Sequence, residues 1–212
     1  MGDVIPGKQC FKFPGTQAFI RSDEPPESIA KRLRATQPGD LLLIRTPGIL
    51  YEISRKLTRN LYDHVAVVLG GGRTVNIVNP KTVVLPVMVF ARPGRRPLIL
   101  RPVWPTPRQR DAFLTGMEQY IGGAYNLRKT AIGIVTIMLY GWLGLPISLK
   151  KPELSAANWI CTEAILAELA GSMPEFGAID RLKLDYNTIG FATTNDFLRI
   201  CIDFPPLLRV VG

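Results

Sequence analysis

Two hydrophobic periods alternate along this chain, and the switches between them outline its elements. Residues 1–24 show little periodicity and carry turn formers (Pro6, Gly7, Pro14, Gly15), which reads as an irregular N-terminal arm. Ser28 to Ala35 can form a short helix with Ser28 as its N-cap. Gln37-Pro-Gly-Asp then turns the chain into Leu41-Leu-Leu-Ile44, a continuous apolar run of the length expected for a buried strand. Over residues 49–60, Ile49, Ile53 and Leu57 recur at helical spacing with charges opposite, predicting a helix. Asp63–Leu69 and Arg73–Val78 read as strands joined by glycines, Lys81–Phe90 as a strand broken at Pro86, and Pro97–Val103 as a fifth strand near an edge. Thr106–Ile121 is a helix with Pro107 at its first position and Phe113, Met117 and Ile121 four apart, ended by Gly122-Gly123. Trp159–Leu169 is the best-defined helix. Ser155 or Asn158 would cap it, Cys161 falls in its first turn and Gly171 closes it. Beyond it the pattern suggests short helices and loops, a turn at Thr194-Asn-Asp-Phe197 and an extended Phe204-Pro-Pro end.

The glycine turn carries more information than its length suggests. A two-residue turn on Gly70-Gly71 would pair Leu69 with Gly72, set His64 opposite Ile77 and leave Asn76 on the other face. A three-residue turn over Gly70–Gly72 would pair Leu69 with Arg73, set Ala66 opposite Asn76 and make His64 the diagonal neighbour of Asn76 on one face. Both are open to a run of three glycines, each of which tolerates positive φ.

Thr130–Leu149 holds no charged residue and has the length of a membrane span. Gly133, Gly141, Gly144 and Pro146 interrupt it, and basic residues flank both ends, so no orientation is favoured. A span here would also put His64 and Cys161 on opposite sides of a membrane. The reading is therefore a hydrophobic insertion, a buried or interfacially lying helix with a loop, inside one domain over residues 25–212.

Composition narrows the classes. The 212 residues suffice for one domain with a proper core. Eighteen prolines and nineteen glycines argue against a helix bundle, and there is no fixed-period repeat. Cys10, Cys161 and Cys201 are too few and too widely spaced for a disulfide framework, and no Cys/His cluster suggests a metal or cofactor. That points to a reducing intracellular compartment, the cytoplasm. The start of the chain lacks the basic and apolar segments of a secretory signal, so secretion is not expected. Pro6 stands where an N-myristoylation motif after Gly2 needs Ser or Thr. The net charge of +9 is compatible with an anionic membrane surface or a protein assembly. Nucleic acid is a weaker partner, because the basic residues are scattered and no nucleic-acid-binding motif accompanies them.

The candidate chemistry gathers on three residues. A cysteine in the first turn of a helix meets unpaired N–H groups and the positive end of the dipole, which favour thiolate and can receive an oxyanion. His64 is the only histidine in the chain, and Asn76 lies twelve positions on. A neutral imidazole can take the thiol proton, and a polar group on its other nitrogen fixes the tautomer. Cys161, His64 and Asn76 fill those roles, whereas Cys10 and Cys201 lack the helix-start setting. Asp63 is adjacent to His64 but would point to the opposite side of its strand.

Pro38-Gly-Asp-Leu-Leu-Leu-Ile44, Asp63-His-Val-Ala-Val-Val-Leu69, Arg101, Gly122-Gly-Ala-Tyr-Asn126 and Ile160-Cys-Thr-Glu163, in that order, resemble the motifs of the circularly permuted NlpC-like papain-fold group. That group includes YiiX-like bacterial proteins, lecithin–retinol acyltransferase relatives and a poxvirus member. The resemblance implies an α+β, permuted papain-like domain, with a small antiparallel sheet packed against the helix that bears the cysteine. It makes His64 the base and Cys161 the nucleophile, and places Glu163 and Tyr125 at the substrate. Thr162 replaces the family's Ser, Asn76 stands where relatives carry His or Glu, and Asp63 where they often have Ser. The implied activity is that of a thiol hydrolase or acyltransferase on an amide, ester or thioester of a peptide, lipid or acyl-bearing substrate. The competing reading is a non-catalytic structural or interaction protein, such as a virion or membrane-associated component, that keeps the fold.

Overall fold

The computed structural model describes residues 24–58, 60–92, 94–143, 160–177 and 192–211. Residues 1–23 of the N-terminal arm (with Cys10), the proposed caps Ser155 and Asn158, and the end of the uncharged run lie outside them. The described residues form an α+β arrangement on one six-stranded sheet in the order β4-β3-β2-β1-β5-β6, every neighbouring pair antiparallel. The strands are β1 Leu41–Ile44, β2 His64–Gly70, β3 Arg73–Asn76, β4 Val83–Pro86, β5 Leu98–Pro102 and β6 Leu208–Val211. The helices are α1 Pro26–Arg34, α2 Ile49–Thr58, α3 Pro107–Glu118, α4 Leu127–Leu143, α5 Cys161–Ser172, α6 Pro174–Gly177 and α7 Thr194–Asp203.

Both faces of the sheet are covered, which explains the unbroken apolar run of β1. Leu41 and Leu43 join Val65, Val67, Val75 and Ile77 beneath Phe113 and Met117 of α3, Ile165 and Leu169 of α5 and Phe197 of α7. Leu42 and Ile44 join Ala66 and Val68 beneath Ile29 and Leu33 of α1 and Phe90. A strand apolar at every position is what two covered faces require. At the rim of the sheet Asp40, almost fully buried, accepts from Arg101 of β5 twice, at 2.7 and 2.8 Å, and from the Gln37 N–H at 2.7 Å.

Some sequence expectations are corrected and others are extended. The first helix begins at Pro26 with Pro25 as N-cap, and Ser28 donates instead to Glu24. Pro86 ends β4, and Val87–Phe90 form a 3-10 turn rather than more strand. Ile160, not Ser155 or Asn158, is the N-cap of α5, and Gly171 lies within the helix. Thr194–Phe197 are the first turn of α7, where Asp196 accepts the Thr193 N–H at 2.7 Å, and the chain beyond the prolines adds β6 to β5. Of the uncharged run, Thr130–Leu143 belongs to α4, a 17-residue helix; among the described residues no helix is long and apolar enough to cross a membrane. The largest surprise is α2. Its apolar stripe would ordinarily face the core. Here Ile49, Leu50 and Ile53 are exposed while Arg55 and Thr58 are buried.

Candidate active site at the start of the cysteine helix

His64 is the first residue of β2, directly opposite Ile44 of β1. Val67 pairs with Val75 and Val68 with Thr74, but Gly70 pairs with Arg73, so Leu69 is an extra residue on its strand. The hairpin thus combines a two-residue turn with a β-bulge. Gly71 and Gly72 hold the turn at φ of 57° and 69°, the left-handed pair that a tight hairpin of native twist needs. The bulge restores the register expected of a three-residue connection, and Asn76 lands on the His64 side of the sheet.

There the imidazole Nε2 lies 3.4 Å from Asn76 Oδ1. The amide orientation follows from its other end: Asn76 Nδ2 donates to the Thr74 carbonyl at 3.2 Å and to Thr74 Oγ1 at 2.9 Å, and a carbonyl can only accept. Thr74 Oγ1 in turn donates to Leu85 O on β4. The oxygen of Asn76 therefore faces the ring, Nε2 carries the proton and Nδ1 is left as the acceptor. Burial holds the His64 pKa below its ordinary value, opposed by the Asn76 hydrogen bond. Asp63 stays out of this network. It pairs with Arg55 of α2 and accepts the Thr46 N–H at 2.9 Å.

Cys161 is the first residue of α5 and is buried. The backbone N–H groups of Val65 and Thr162 lie close enough to its sulfur to favour the thiolate. The Val65 peptide is the one immediately after His64, so the thiol sits against the backbone that carries the histidine. Among the described residues no hydrogen bond joins the thiol directly to the ring. Desolvation outweighs the N–H donors and pushes the thiol up to about 11, against the lowering expected from a helix start alone. The start of α5 is fixed from outside by Thr162, whose hydroxyl donates to Ala192 O at 2.7 Å. Glu163 is buried in the same turn.

A pocket of about 90 Å³ opens at the thiol. Tyr125, Thr130 and Ile134 line one side of it, and Ser54, Arg55 and Thr58 of α2 another. Asp63, Cys161, Thr162 and Thr193-Thr194 also line it. The Tyr125 hydroxyl receives a hydrogen bond from Thr130 at 3.0 Å; burial first, then the neighbouring Cys161, pushes its pKa up to about 12. Of the residues singled out in the sequence, Cys161 and Tyr125 share this pocket; His64 and Asn76 share a hydrogen bond but, like Glu163, do not line it, and the link between the two halves is the Val65 peptide beside the thiol. The polar side of α2 and the Thr193–Thr194 segment were missed. The apolar spacing of α2 does not show that its polar side lines a pocket, and Thr194 joins through a long-range bond from its hydroxyl to Tyr62 O. No group of His, Cys, Asp and Glu among the described residues could hold a metal ion. No protein-family model matches the chain, and no curated protein matches it.

Proposed function

We propose that the chain is a thiol hydrolase or acyltransferase built on a permuted papain-like domain. One observation carries the reading: Cys161 opens α5 on a pocket and lies against the Val65 peptide that directly follows His64, whose ring is hydrogen-bonded to Asn76. In the resting site both partners are neutral. As a carbonyl enters the pocket, Nδ1 takes the thiol proton while sulfur bonds to the carbonyl carbon. The oxyanion so formed is received by N–H groups at the start of α5. The imidazolium then returns its proton to the departing amine, alcohol or thiol, leaving a thioester on Cys161. Water or another nucleophile, deprotonated by His64, releases the acyl group and regenerates the thiol. Tyr125 and Thr130 supply hydroxyls on the substrate side of the pocket.

The thiol pKa of about 11 and the missing thiol–imidazole hydrogen bond favour a second reading, a non-catalytic interaction protein of the same fold. An activated acyl thioester separates the two. The enzyme reading expects a stoichiometric acyl mass increment on the Cys161 peptide that is absent in Cys161→Ala and forms at least about a hundredfold more slowly in His64→Ala. Acylation spread equally over Cys161 and Cys201, or unchanged in His64→Ala, establishes the non-catalytic reading.

A further inference from the structure

The inverted helix α2 is one half of a larger exposed apolar face. Ile49, Leu50 and Ile53 lie on one arc of α2, Ile49 and Leu50 exposed at 73% and 76%. Helix α4 packs against α2 and does the same: Leu127, Ile132 and Val135 are exposed on one arc, while Gly133 and Thr136 are buried. Both helices turn hydroxyls inward (Ser54 and Thr58 of α2, Thr130 of α4) to line the Cys161 pocket. Two adjoining helices with aliphatic side chains outward and polar ones inward reverse the arrangement that water favours.

We propose that this two-helix face docks on a membrane surface bearing anionic lipid. The outward arcs are aliphatic, and Tyr51 at their edge is half-exposed, a residue type suited to the headgroup boundary. Lys56 on α2 and Arg128 on α4 are exposed beside the apolar residues, with Glu52 the acidic residue of the α2 surface. The chain as a whole carries +9. Apolar side chains seated at the acyl boundary with cations at headgroup level are the pairing by which helices lie in a bilayer interface. The opposite sides of the same helices line the pocket, so a docked molecule holds Cys161 directly behind its lipid-facing layer. That corollary alone rests on the thiol-enzyme reading; docking itself does not.

The test uses the full chain as Cys161→Ser, so that binding is read apart from catalysis, with vesicles of phosphatidylcholine alone or with added phosphatidylserine in a flotation assay. Binding is expected to vesicles containing phosphatidylserine and to weaken as salt is raised. Leu50→Glu and Val135→Glu should each weaken it about tenfold or more, and Lys56→Glu about fivefold. Leu50→Ser, with circular dichroism and melting of every variant, separates lost docking from lost folding. No flotation with either vesicle, or flotation that these substitutions leave unchanged, overturns the proposal. So does vesicle-independent self-association abolished by Leu50→Glu, which assigns the face to a second copy.

Discussion

Burial drives both members of the proposed pair towards their neutral forms. It raises the Cys161 thiol to about 11 and lowers the His64 imidazole below 6.5. A neutral imidazole is the competent base, so the rate should fall as pH drops through the His64 pKa, with the acid limb centred below 6.5. Asn76 accepts Nε2–H and so favours the protonated ring. Its removal should move the limb to still lower pH while the misaligned ring slows reaction about tenfold to a hundredfold. A slower Asn76→Ala variant with an unmoved limb would reduce Asn76 to a packing role. The same shifts set the pH dependence of stability. Below 6.5 the unfolded state binds the His64 proton more readily than the folded state, so stability is lost as pH falls through that range. Above about 9 the unfolded chain releases the Cys161 proton that the fold retains, so stability is also lost as pH rises. Urea unfolding across pH, with Cys161→Ala making the alkaline loss shallower while buried Cys201 keeps its own share of it, checks both signs.

At the scale of elements, the hairpin and α2 show what periodicity does and does not encode. The sequence offered two turn lengths with opposite consequences for Asn76, and the chain takes the short turn while recovering the long-turn register through the bulge at Leu69. A bulge leaves no mark in a run such as Val67-Val-Leu69, so the contact was legible as an alternative but its device was not. Gly71 and Gly72 are the glycines this turn needs; Gly71→Val should cost about 1–2 kcal/mol in unfolding free energy, a left-handed side-chain penalty. For α2, the spacing of Ile49, Ile53 and Leu57 identified the helix, and the inward side was decided elsewhere. Arg55 is drawn in by Asp63 and also donates to Thr46 O, and Asp63 lies outside the helix. Two substitutions test this orientation by chemical denaturation. Leu50→Glu should change stability by less than about 0.5 kcal/mol, as an exposed site. Arg55→Ala, which strands Asp63 in a buried setting, should cost about 3–5 kcal/mol.

Across the whole molecule, the residues that unite the sheet are those whose partners are farthest away in sequence. The strands from 41 to 76 and the helices at 107 and 161 were legible because each carries its own period and turn chemistry. Helix α7 and strand β6 were not, because β6 exists only through its pairing with β5, Ile99 opposite Val211 and Pro102 opposite Leu208. The Arg101–Asp40 pair joins β5 to the entrance of β1, with Asp40 almost wholly buried. Arg101→Met should destabilise the protein by about 3–5 kcal/mol, mostly the cost of an unpaired buried carboxylate. A loss below 1 kcal/mol, flagged by an unchanged denaturation midpoint, would show Asp40 to be satisfied by the Gln37 N–H alone.

Bringing the start of α5 to the start of β2 is the act of the fold on which the proposed function depends, and the rate of Cys161 alkylation by iodoacetamide against pH measures it most directly. The expected wild-type profile is governed by His64, with an acid limb below 6.5 and appreciable reaction at neutral pH. His64→Ala should lose that limb and react only as an isolated thiol with a pKa of about 11. Superimposable profiles for wild type and His64→Ala, each rising only towards that pKa, would contradict a working His64–Cys161 pair.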